Sequence, residues 1–179
     1  WKKTRAATET GADMQRKAGS LGLILATAAF VVLLDQLSKR WIERNLPLYE
    51  SLAPIPALDG FFTITHFTNT GAAFGLLRDQ NLLFVAIGLV VVASIVVYSR
   101  YLPHDKWLVQ LAIGLQLGGA IGNMIDRVRQ GHVTDFIYFH FWPAFNVADA
   151  AIVVGVALLA WVMLTYKEPQ EAPVTSEDQ

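Results

Sequence analysis

The sequence predicts an integral membrane protein, mainly α, with four transmembrane helices and a small extramembrane β-rich element between the first two. Three observations predict it. Of the 179 residues, 54% are hydrophobic and only 16% are charged, and the mean hydropathy is +0.40; soluble domains run near 45–50% apolar and about 25% charged. The charges are clustered, which leaves four long apolar runs without any. Between the first and second of these lies a segment of different composition, rich in Thr, Asn, His, Gly and aromatic residues. The same figures exclude other classes. Disorder requires low hydrophobicity and high net charge. A net charge of −1 argues against nucleic-acid binding. With no Cys there is no disulfide framework, thiolate metal site or cysteine nucleophile.

The four charge-free runs are Ala18–Leu34, Gln80–Ser99, Trp107–Ile125 and Ala150–Tyr166. A helix of roughly 20 residues crosses a hydrocarbon core of about 30 Å. The two shorter runs reach that length by taking in Asp35-Gln36 or Asn146–Asp149, which places carboxylates at helix ends near a membrane face. The first run follows Arg16 and Lys17 and has a signal-peptide look. It is long for that, and Asp35-Gln-Leu-Ser-Lys39 is no small-residue cleavage site, so a retained helix is the better reading. A fifth charge-free run, Gly60–Leu77, mixes aromatic, β-branched and polar residues and ends in Asn69-Thr70-Gly71. It reads as a strand or hairpin, and the β-rich element as residues 48–77. Gly114, Gly118 and Gly122 recur every four residues in the third run, a spacing that lets helices approach closely in lipid and makes this helix central.

The chain therefore divides into a polar tail over 1–17, one membrane-embedded domain over 18–166 and a second polar tail over 167–179, with both tails expected to be disordered. Four spans put both tails on one side. Eight basic residues fall on that side against six on the other, and the close-in pair Arg16-Lys17 tips the tails towards the cytoplasm. The start at Trp1 is what a fragment or a processed chain would present.

Of the 15 acidic residues, six lie in the tails, and Glu43, Glu50, Asp59, Asp79 and Asp105 fall in connections expected at the surface. Asp35, Asp126, Asp135 and Asp149 remain, at expected helix ends, and ionisable groups at membrane depth point to function. Asn123 and Asp126 lie three apart on one helix face. Asp126-Arg127 would mark the membrane boundary, with Arg127 bonding carbonyls or lipid phosphate, and for this pair a structural role is the better reading. Asp135 precedes Phe136-Ile-Tyr-Phe-His-Phe-Trp142, where partial desolvation would raise its pKa; an aromatic interface belt with an incidental Asp fits equally. Asn146 is a good N-cap, and Asp149 three residues on favours the positive helix end. Two carboxylates on one membrane face, 135 and 149, can meet across the connecting loop. In contact they share a proton, and such a pair hydrolyses amides without metal or nucleophilic side chain. Sequence permits this meeting without requiring it.

Five blocks, in order, then carry a resemblance. They are Asp35-Gln-Leu-Ser-Lys39, Asn69-Thr-Gly-Ala-Ala-Phe-Gly75, Gly118-Gly-Ala-Ile-Gly-Asn-Met-Ile-Asp-Arg127, Gly131-His-Val-Thr-Asp-Phe136 and Phe145-Asn-Val-Ala-Asp149. Over roughly residues 20–166 the chain resembles the lipoprotein signal peptidases, the type II signal peptidases of bacteria. The resemblance implies an intramembrane aspartyl protease of the bacterial inner membrane, with four helices and an extracytoplasmic β-cradle. It implies a diacylglyceryl prolipoprotein as substrate, cut just before the lipid-modified cysteine, and no metal or other cofactor. The catalytic pair falls on Asp135 and Asp149. Asn69, Gly71, Asn123, Asp126, Arg127 and Asn146 match positions that shape the site or bind substrate. Asp35 and Lys39 match a further block, for which an ion-pair or capping role is as good a reading. Membrane lipid is the surrounding partner and a monomer the expected state. The β-element would clamp the extended substrate by strand-like hydrogen bonds, with Phe61, Phe62, Phe67 and Phe74 anchoring it in the interface.

Two other classes compete. A metal-dependent membrane hydrolase would use His132, Asp135, His140 and Asp149, although no HExxH pair is present. A transporter subunit or scaffold would account for the Gly-rich helix, but the halves lack an inverted repeat.

Overall fold

The polar residues after Leu34 do not end the first helix. In the computed structural model, which describes residues 2–71, 79–99 and 106–165 (side chains from Leu21 onward), α1 runs Lys2–Asn45. Asp35, Gln36 and Lys39 lie on its inward stripe, buried and paired, so they sit inside the helix rather than at its end as expected. At the other end, the helix continues back through the segment read as a disordered tail. That segment is rich in helix-favouring Ala, Glu, Lys, Arg and Gln and holds no Pro. Phe74, Arg78, Arg100, Asp105 and the tail 167–179 lie outside the described residues.

After α1 come β1 (Ser51–Leu52), a 3₁₀ turn at Pro56–Leu58, β2 (Phe62–Asn69), α2 (Asn81–Ser99), α3 (Trp107–Gln130), β3 (Val133–Phe139) and α4 (Val147–Thr165). Among the described residues, four helices are long and apolar enough to cross a membrane: Leu21–Asn45 of α1, and α2, α3 and α4. The β-rich element expected between the first two is there, and it gains a third strand. The aromatic run after Asp135 is β3, and the sheet is antiparallel in the order β1-β2-β3. Ile64 pairs Ile137 and Phe67 pairs Asp135, so the register slips by one between them. This bulge falls beside Asp135. A bulge bends a strand and re-aims its side chains.

The α3 helix packs against each of the other three, and its glycines account for that. A Cβ on Gly114 would lie 2.6 Å from Thr27 Cβ, and one on Gly118 would lie 2.7 Å from Val31 Cβ and 2.8 Å from the Ala28 carbonyl, all on α1. One on Gly119 would strike the Ala148 carbonyl on α4. The seam thus serves two neighbours from adjacent positions. Around it Ile24, Ala28, Val109, Ile113, Leu117 and Val162 form the apolar core. By contrast α2 has no buried residue and is coated with Leu, Val and Ile, the surface a lipid-facing helix presents. Gly131, at φ 80, closes α3 in the left-handed conformation, its N–H reaching the Arg127 carbonyl at 3.1 Å. That turn sends the chain into β3.

Candidate active site

Asp149 and Asn146 cap α4 reciprocally. The Asp149 N–H donates to Asn146 Oδ1 at 3.0 Å, and the Asn146 N–H donates to Asp149 Oδ2 at 3.2 Å. This is the capping-box arrangement. Its geometry leaves the Asn146 amide NH₂ free to point elsewhere, and it donates to Asp135 Oδ1 at 2.7 Å and to Asn123 Oδ1 at 3.1 Å. One fully buried asparagine therefore bridges the carboxylates of β3 and α4.

The remaining carboxylate oxygens are also held. Asn69, at the end of β2, donates to Asp135 Oδ2 at 2.9 Å, and its own Oδ1 accepts the Gly71 N–H at 3.0 Å. Asn123 donates to Asp149 Oδ1 at 2.7 Å. Asp135 is 3% exposed. Burial pushes its pKa up to about 7. The Asp149 charge adds to the rise, while the Asn69 and Asn146 hydrogen bonds and the Lys39 charge oppose it. Desolvation is thus the main effect, as the aromatic run suggested.

Arg127 does bond a carbonyl: its Nη2 donates to Gly71 O at 2.8 Å, and the guanidinium carbon stands 4.3 Å over the Phe84 ring. It ties the end of α3 to the segment after β2 and to α2. Asp126 points the other way. It is fully buried and ion-paired with Lys39 at 2.9 Å, and Lys39 also meets Asp35 at 2.9 Å and Asn123 Oδ1 at 2.9 Å. The structural reading of Asp126 fits this placement, whereas Asn123 belongs to both groups. All ten site residues named from the sequence fall into one connected network.

Three contributors escaped sequence reading. Gln36 donates to Asp126 Oδ1 at 2.9 Å, from the same buried stripe. Glu43, expected at the surface, accepts from Thr134 Oγ1 at 2.8 Å and Arg129 Nη2 at 3.0 Å. Its i+4 spacing from Lys39 was the available signal. Thr134 is fully buried and pins the start of β3. His140 turns away from the carboxylates, with Nε2 3.4 Å from Thr63 Oγ1 and its ring stacked on Tyr138. Among the described residues, no three His, Asp or Glu are grouped to hold a metal ion. The geometry suits proton exchange between two carboxyls and a water.

Known proteins resemble the chain over most of its length. The family model described as signal peptidase (SPase) II matches residues 27–165. A lipoprotein signal peptidase of Moorella thermoacetica is 46% identical over 140 residues, covering 78% of this chain and 91% of that protein. One from Geobacter metallireducens is 46% identical over 147 residues, covering 78% and 88%. A bacterial membrane enzyme solved by the in meso method at 2.3 Å superposes with a TM-score of 0.73 at 32% identity, over 84% of this chain and 95% of that one. With a match across nearly the whole helical domain and a fold that agrees, the chain belongs to the signal peptidase II family.

Proposed function

We propose that the protein is an aspartyl endopeptidase that removes the signal peptide from diacylglyceryl-modified bacterial prolipoproteins, cutting before the lipid-modified cysteine. The observation that carries this reading is Asn146, whose amide joins Asp135 to the cap of Asp149. With burial and the Asp149 charge holding the Asp135 carboxyl at about 7, the pair keeps one proton near neutral pH. The ionised one takes a proton from water as its oxygen attacks the scissile carbonyl carbon. The protonated one donates to the carbonyl oxygen. Collapse of the tetrahedral species breaks the C–N bond, and the leaving amine recovers a proton from the pair.

The family supports the substrate class, since the relatives are lipoprotein signal peptidases. A lipid-anchored cysteine holds its scissile bond at the membrane surface. The carboxylates belong at that level, where α3 and α4 meet the sheet. The same reading puts the protein in the bacterial inner membrane as a monomer, with both termini cytoplasmic and the sheet outside.

The test is cleavage of a purified diacylglyceryl prolipoprotein by the purified chain. Asp135→Asn and Asp149→Asn are each expected to abolish turnover while the protein stays folded, and excess chelator to leave the wild-type rate unchanged. Near-normal turnover by either variant would overturn the dyad. Loss of activity in chelator would restore the metal alternative.

A further inference from the structure

Outside the dyad lies a buried cluster that the proposed chemistry does not use. Asp35, Lys39 and Asp126 have no exposed side-chain surface, and Lys39 stands between the two carboxylates at 2.9 Å from each. Burying three charges is expensive, and apolar residues of similar size would stabilise a bundle at least as well. The backbone hydrogen bonds that the two carboxylates accept show what the cluster holds. Asp35 Oδ1 accepts the backbone N–H of Ala148 at 3.1 Å. Asp126 Oδ2 accepts the backbone N–H of Thr134 at 3.3 Å. Ala148 directly precedes Asp149, and Thr134 directly precedes Asp135.

Lys39 adds a third link. An ammonium only donates, so the Asn123 atom facing it at 2.9 Å is the carbonyl oxygen. The NH₂ must then face the other way, and it meets Asp149 Oδ1 at 2.7 Å. Space for the cluster comes from α3. A Cβ on Gly122 would fall 2.7 Å from Asp35 Oδ2.

We infer that Asp35, Lys39 and Asp126 form a strut that sets the separation and orientation of the two catalytic aspartates, acting through the Ala148 and Thr134 amides and through Asn123. These are positioning residues that touch neither substrate nor water. The inference rests on the dyad reading above. The strut is anchored in α1 and α3, while the aspartates it positions belong to α4 and β3. It adds to the backbone hydrogen bonds between Phe145 and β3 and to the Asn146 bridge, which join the start of α4 to β3 directly.

Lys39→Met and Asp35→Asn test it, measured per folded molecule on the diacylglyceryl prolipoprotein, with Asp135→Asn and Asp149→Asn in parallel. Misplacing reacting groups by about 1 Å costs on the order of 100-fold in rate. Lys39→Met is therefore expected to lose about that much kcat with KM little changed. Its alkaline pH–rate limb should move to higher pH, because the removed cation had been holding the dyad proton less firmly in place. Asp35→Asn keeps the volume. Whichever way its amide turns, however, an NH₂ faces either Lys39 or the Ala148 N–H, so kcat should fall there as well. Wild-type kcat and pH limb in a folded Asp35→Asn or Lys39→Met overturn the strut, as does an activity loss that folded fraction fully accounts for. If Lys39→Met does not fold, Asp35→Asn decides alone. Activity in Asp135→Asn or Asp149→Asn would instead sink the dyad reading, a separate outcome.

Discussion

At the scale of single residues, Asp135 is the position where environment most changes chemistry. Its carboxyl is held up at about 7 by burial first and by Asp149 second. The folded state therefore keeps a proton that an unfolded aspartate would release near 3.9. With the folded pKa raised, the stability linked to this group is fully present below the unfolded value and is lost as pH rises through about 7. Two outcomes are expected. If the pair works as proposed, kcat/KM should fall as pH rises through about 7, where Asp135 loses its proton, and a pH–rate profile checks this. The macroscopic value belongs to the pair. Asp135→Asn, which is permanently neutral at this position, should show a Tm that falls less than that of wild type as pH rises from 6 to 8, measured as Tm across that range. The candidacy of Asp135 was legible from its aromatic neighbours. Its bonding to Asn69 was not, because residues 69 and 135 meet only through strand pairing.

Among the elements, α3 organises the molecule through positions without side chains. Its Gly119 backbone lies against the Ala148 carbonyl of α4, one residue from Asp149. Gly119→Val is expected to destabilise by about 1–3 kcal/mol through overpacking, and to lower kcat because it displaces the start of α4. Gly22, on α1, has nothing within 4 Å of an added Cβ. Gly22→Ala should therefore raise stability by roughly 0.5–1 kcal/mol through helix propensity and leave turnover unchanged. Thermal melts and kcat on the two variants separate these outcomes. The glycine repeat was visible in the sequence as a packing seam. That adjacent glycines face different helices was not, since a four-residue repeat marks one face and says nothing of its neighbours. The reach of α1 was also misjudged. A run of charges reads as a membrane boundary unless partners on another helix bury it, and the partners here are Asp126 and Asn123, more than eighty residues on.

For the whole molecule, the proposed topology of four spans puts both ends on the cytoplasmic side. In right-side-out vesicles, tags at the two termini should both resist added protease, and in inverted vesicles both should be cut. Cutting at one end alone would mean that one of the four helices does not span. The sheet joins the α1–α2 and α3–α4 connections at one end of the bundle, so the site is assembled from parts of the chain that are far apart in sequence.

The sequence by itself determined the apolar surroundings, the four helices long enough to cross a membrane and the family. Each of these is a local property, carried by hydropathy over a helix length or by a short block of residue types. The tertiary structure decided the rest: that Asn146 joins Asp135 to Asp149, that Lys39 lies inside the protein, and that Asp35 and Asp126 hold the amides just before Asp149 and Asp135. Hydrogen bonds of about 3 Å between distant segments depend on how helices cross and where a strand slips register, and no one-dimensional pattern records that.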